Sequence, residues 1–156
     1  MDLNAAIISG SSIAGIPLGT DINALVTELQ KDNIPFVETT FCTFGTTFRK
    51  LSIADNKVIV VGDDTNRVVR LSCRPGYLGK SKSTFFPGMT VKQVCEKSLK
   101  QLLIHGMIVV DGDFGVFFDV PEVYQGQQFD DVDEICQLPA EMALSELHVM
   151  EPSWWR

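Results

Sequence analysis

The chain has 156 residues, 45% of them hydrophobic and 21% charged, which is ordinary globular composition and excludes a disordered polymer. Its formal net charge of −7 is unevenly placed: residues 105–156 hold eleven acids against one base, Arg156, whereas residues 1–104 hold nine acids and twelve bases. Such a field attracts basic partners and repels nucleic acid, and no apolar run reaches the roughly 20 residues that a membrane-spanning helix needs.

The first residues, Met1-Asp2-Leu3-Asn4-Ala5-Ala6-Ile7-Ile8, lack the basic region of a secretory signal. The expected compartment is therefore the cytoplasm, with the periplasm as the alternative if a leader has been removed. Gly19-Thr20-Asp21 then announces a helix from about Asp21 to Lys31, capped by Thr20 or Asp21, with Ile22, Leu25, Val26 and Leu29 inward. Strand-like sequence follows at Thr46–Ala54, Lys57–Val61 and Arg67–Cys73, separated by turns at Asp55-Asn56 and Gly62–Asn66. In the last of these strands Val69 and Leu71 alternate with Arg70 and Ser72, the pattern of a strand with one wet face.

A second helix is expected from about Val91 to Leu103, capped by Thr90 and stopped near Gly106, with Val91, Val94, Leu99, Leu102 and Leu103 inward. A hairpin follows, Met107–Val110 and Gly115–Asp119 around Asp111-Gly112-Asp113, and Ser145–Met150 reads as a last strand. The start of the second helix, Gly88–Cys95, aligns without gaps on Gly19–Val26 at an offset of 69 residues. The predicted fold is α+β, an antiparallel sheet with two helices packed on one side. It forms a single domain over 1–156, divisible into two α-β-β-β halves at about 10–78 and 79–156.

Motifs for chemistry are sparse. Cys42, Cys73, Cys95 and Cys136 form no C-x-x-C pair, so no metal site is indicated, and reduced thiols are expected, with two disulfides as the alternative if the protein is exported. Asp111, Asp113 and Asp119 superficially suggest a cation loop, but a calcium loop needs ligands continuing at alternate positions, and a hairpin turn explains Asp-Gly-Asp. Lys80-Ser81-Lys82-Ser83 is not a phosphate-binding loop, and no nucleophile elbow is present. Arg67, Arg70, Arg74, Lys80 and Lys82 are better explained by pairing with the acidic half, or by simple solubility, than by phosphate contacts in a chain this acidic. His105 fits a helix C-terminus, where a cation is favoured, and His148, alternating with Leu147 and Val149, is expected to face solvent. No metal, cofactor or catalytic residue is assigned.

What remains points to binding. Phe129-Asp130-Asp131-Val132-Asp133-Glu134-Ile135 interleaves carboxylates with apolar anchors, and Trp154-Trp155 places two large aromatics near the C-terminus. The candidate partner contacts are Asp111, Asp113, Asp130, Asp131, Asp133 and Glu134 for charge, with Phe129 and Trp155 as anchors.

Two resemblances follow from quoted residues and plan. Pro87-Gly88-Met89-Thr90-Val91-Lys92-Gln93-Val94 resembles the G-M-T-x-x-x-V helix start of the SmpA/BamE outer-membrane lipoproteins, although the first cysteine here is Cys42 and no lipidation site accompanies it. The duplicated helix-and-sheet plan resembles β-lactamase inhibitory protein, and a small acidic chain without catalytic motifs is similar in kind to the immunity proteins of antibacterial toxins. The second resemblance implies a non-enzymatic immunity protein that occludes the active site of a cognate toxin or effector with a basic surface, without nucleic acid. The first implies an envelope assembly or scaffold protein. A small enzyme using Asp111, Asp113 or His148 is the third reading.

Overall fold

The computed structural model describes residues 1–121, 135, 138–154 and 156. Its centre is one eight-stranded antiparallel sheet. The chain opens with a two-stranded ribbon, β1 (Ser12–Ile13) and β2 (Ile16–Pro17), before helix α1 (Ile22–Lys31). Asp21 caps α1 by accepting from the Asn23 and Ala24 amides, and Ile22, Leu25 and Leu29 are buried, as the 3.6-residue spacing predicts. Four strands then run as a meander, β3 (Phe36–Thr43), β4 (Thr46–Ile53), β5 (Val58–Gly62) and β6 (Val68–Cys73). The second half starts with β7 (Met89–Thr90) and α2 (Val91–Lys97). It continues through β8 (Gln101–Ile104), β9 (Met107–Val110), β10 (Val116–Asp119), β11 (Ala143–Leu144) and β12 (Leu147–Met150).

The strand order is β3-β4-β5-β6-β12-β10-β9-β8, while β7 and β11 form a separate ribbon. After each helix the chain enters at an outer edge and works inward, so the last strands of the two halves, β6 and β12, pair at the middle. Each half thus supplies four strands to the sheet, where the sequence suggested three; β3 was not anticipated. The fold class itself, helices on one face of an antiparallel sheet, is as expected. Ile22, Leu25 and Leu29 of α1 and Val91 and Val94 of α2 join one core with Leu51, Ile53, Val58, Val60, Leu71, Val149, Phe118 and Ile108.

The second helix is shorter than its apolar spacing implied. Thr90 and Gln93 form a reciprocal capping box at its start, but α2 ends at Lys97, with Ser98 in an extended conformation. Leu99 is 100% exposed instead of inward, and Leu102 and Leu103 belong to β8, half-buried. Asp111 is the local cause: its Oδ1 accepts the Leu99 and Lys100 amides at 2.7 and 2.9 Å, taking donors that another helical turn would need. His105 consequently lies not at a helix end but in the β8–β9 turn with Gly106, both at positive φ. The same two-residue turn, of the mirror-image type that matches strand twist, joins β3 to β4 through Phe44-Gly45. Among the described residues no helix is long and apolar enough to cross a membrane.

Candidate functional site

Strand alternation gives the sheet a second face, opposite the helices. Register places Ser72 of β6 beside His148 of β12, and His148 beside Phe117 of β10. Two residues further toward the same end of the sheet, at the end of β10 and just beyond β6 and β12, stand Asp119, Arg74 and Glu146, on the same face. The inner row is closed: Ser72, His148 and Phe117 are 1%, 2% and 1% exposed. The outer row is open, with the Asp119 and Glu146 side chains 36% and 21% exposed. The expected wet face of β6 is therefore closed at Ser72 but half-open at Arg70, and the expected solvent-facing His148 is corrected, since its side chain is buried. Alternation along one strand finds the residues that share a face, but whether that face meets water depends on what the tertiary structure lays over it.

The imidazole of His148 is held from several sides. Its Nδ1 lies 2.7 Å from Ser72 Oγ, and the Phe117 ring stacks on it at 5.2 Å between centroids, with Trp154 tilted on Phe117 at 4.6 Å. Its Nε2 points toward the outer row, 2.8 Å from Asp119 Oδ2 and 3.6 Å from Glu146 Oε2. Although Asp119 is within contact distance, Nε2 has no hydrogen bond among the described residues and is shielded from water. Arg74 binds the other Glu146 oxygen, Oε1. Serine, histidine and aspartate so arranged share the members of a nucleophilic triad. Ser72, however, is enclosed in the middle of the sheet, where no acyl group reaches it, so its hydroxyl orients the ring.

The expected charge contacts fare differently. Asp113 is committed inside the chain: it accepts from the Ser9 hydroxyl, from Lys82 Nζ at 2.9 Å and from the Gly115 amide at 3.3 Å. Burial pushes its carboxyl up, but these donors and the Lys82 charge outweigh that and hold it below its ordinary value. Asp111 is exposed and closes the α2–β8 junction. Phe129, Asp130, Asp131, Asp133, Glu134 and Trp155 lie outside the described residues. Arg74 with Glu146 and Lys82 with Asp113 make the pairing expected between the basic stretch and the acidic half. Trp154 docks through its indole N–H to the Phe114 carbonyl at 2.7 Å. Cys42, Cys73 and Cys95 are free thiols, and burial pushes Cys73 far above the usual thiol range.

A second feature stands at the sheet edge. Seven of the eight residues of β3 are exposed, among them Val37 and Phe41, and Phe44 at the hairpin tip is fully exposed at 104%. Phe41 stacks on Phe48 across the strand pair at 5.4 Å, beside a groove that also meets Val61, Val69, Arg70 and Met150. Comparison of the chain with family models, with curated proteins and with solved structures finds no match.

Proposed function

We propose that the protein acts by binding another protein through the β3–β4 hairpin, and that this partner is a basic toxin or effector which it neutralises. Phe44 carries the reading. It occupies the first place of a two-residue turn at φ 49°, where Asn, Asp or Gly would sit without strain, and buries none of its ring within the chain. A bulky aromatic that costs backbone strain and exposes apolar surface stabilises nothing in the free molecule, so its use lies outside it. Among the described residues no strand pairs with the outer edge of the adjoining β3, which offers its backbone groups to an extended segment, and the net charge of −7 favours a basic partner.

The test compares wild type with Phe44→Asn. Each tagged protein is used for capture from lysate of the native cells at low and moderate salt, and each is co-expressed with the captured protein. A basic protein that binds in equimolar amount, is toxic when expressed alone, and is silenced by wild type but not by Phe44→Asn is the expected result. Equal capture by both variants would remove the hairpin from the interface, and recovery of envelope assembly components would favour a scaffold. A second reading, a small enzyme acting through His148, draws on the buried imidazole between two carboxylates. It requires that His148→Gln abolish a turnover while leaving the melting temperature within a few degrees of wild type.

A further inference from the structure

We propose that His148 Nε2, Asp119 and Glu146 together bind a divalent transition-metal ion of the zinc type. These donor atoms come from β10, from β12 and from the residue two before His148, and all lie within 4.8 Å of one another. Ligand bonds of about 2.0–2.2 Å to nitrogen and oxygen allow a single ion to reach all three after small side-chain rotations.

A cluster of carboxylates alone says little, since such groups are common on surfaces. The independent observation here is the imidazole. His148 is 2% exposed, its Nε2 aims between the two carboxylates, and among the described residues that atom has no hydrogen bond although it is removed from water. Buried polar atoms are nearly always partnered, and among the described residues Nε2 meets only carboxylate oxygens, Asp119 Oδ2 at 2.8 Å and Glu146 Oε2 at 3.6 Å, with no hydrogen bond made to either. An ion placed between the ring and the two carboxylates partners all three.

The surroundings have the features that support a metal ligand. With Nδ1–H donating to Ser72 Oγ, the ring presents its Nε2 lone pair to the site. Arg74 occupies Oε1 of Glu146 and leaves Oε2 facing His148. The Phe117 stack restricts rotation of the ring. One nitrogen and two carboxylate donors suit zinc, manganese or ferrous iron better than magnesium or calcium, which prefer oxygen alone. Three protein ligands leave a further position, and the half-exposed Asp119 and Glu146 place it toward solvent, where water or a ligand atom from another molecule completes the shell.

The experiment uses the full chain, stripped with chelator and titrated with Zn²⁺ by calorimetry, with Co²⁺ absorption as the reporter of geometry. Expected are one Zn²⁺ per chain and the visible d–d bands of low-coordinate Co²⁺. Affinity should fall by more than about 100-fold in Asp119→Asn and Glu146→Gln, and by about 10- to 100-fold in Ser72→Ala, the range for an outer-shell partner. The two carboxylate variants alter half-exposed side chains, and their melting temperatures are read in parallel to show that they fold. Absence of uptake by wild type overturns the proposal. Uptake that persists undiminished in both carboxylate variants also overturns it, by placing the ion elsewhere. No partner protein enters this measurement, so its outcome is independent of the hairpin reading.

Discussion

Asp113 shows how a residue conspicuous for its charge is spent within the fold. Its carboxylate ties the N-terminal segment at Ser9 and the loop at Lys82 to the β9–β10 turn. Because its folded-state value is depressed, it contributes stability that is present above the ordinary carboxylate range and is lost as pH falls through the lowered folded value. Asp113→Asn should therefore destabilise by about 1–3 kcal/mol at neutral pH, the worth of hydrogen bonds to a charged group. The gap from wild type should narrow as pH is taken down through the acid range, as read by urea unfolding at a series of pH values. A gap independent of pH would mean that hydrogen-bond geometry, not charge, is what the site uses. Phe44 presents the opposite case, a residue that the free fold does not use. Replacing it with Asn relieves a left-handed conformation worth about 1–2 kcal/mol, so Phe44→Asn should raise the urea midpoint even as it removes binding.

At the scale of elements, the α2–β8 junction is the instructive one. The run from Leu99 to Ile104 carries apolar residues at spacings that serve a helix or a short strand equally, and pairing with β9 decides for the strand. Asp111 marks the boundary by holding two amides, so Asp111→Ala should cost about 1 kcal/mol and speed amide exchange at Leu99 and Lys100 before it affects β5 or β6. Uniform loss of protection would assign Asp111 to global stability instead. Helix α1, strands β4 to β6 and the β9–β10 hairpin were legible because each carries its own cap, alternation or turn. Strand β3 was not, because an edge strand exposed along nearly its whole length has no inside to write into its pattern. The His148 site was legible only in fragments. Ser72 and Arg74, Phe117 and Asp119, and Glu146 and His148 are each an i, i+2 pair, but they meet through the order β6-β12-β10, which no local pattern encodes.

The molecule as a whole turns on the β6–β12 pairing. The two meanders touch nowhere else in the order of the main sheet, so it is there that two halves become one body or remain two. Leu71 and Val149 face each other across this seam, both fully buried, in a core that also contains side chains from α1 and α2. Among the described residues neither half holds a core of its own apart from that cluster, and each would leave one long sheet edge and one helix face uncovered. Unfolding should accordingly be a single cooperative step. Leu71→Ala, which removes packing from both halves at once, should lower stability by about 2–5 kcal/mol without dividing the transition. Circular dichroism follows the whole sheet, and tryptophan fluorescence follows the C-terminal segment that Trp154 anchors on Phe117. Coincident midpoints from the two probes, in wild type and in Leu71→Ala, establish the shared core. Separate midpoints in the variant would show that the halves retain their own cooperativity and that the seam only joins them.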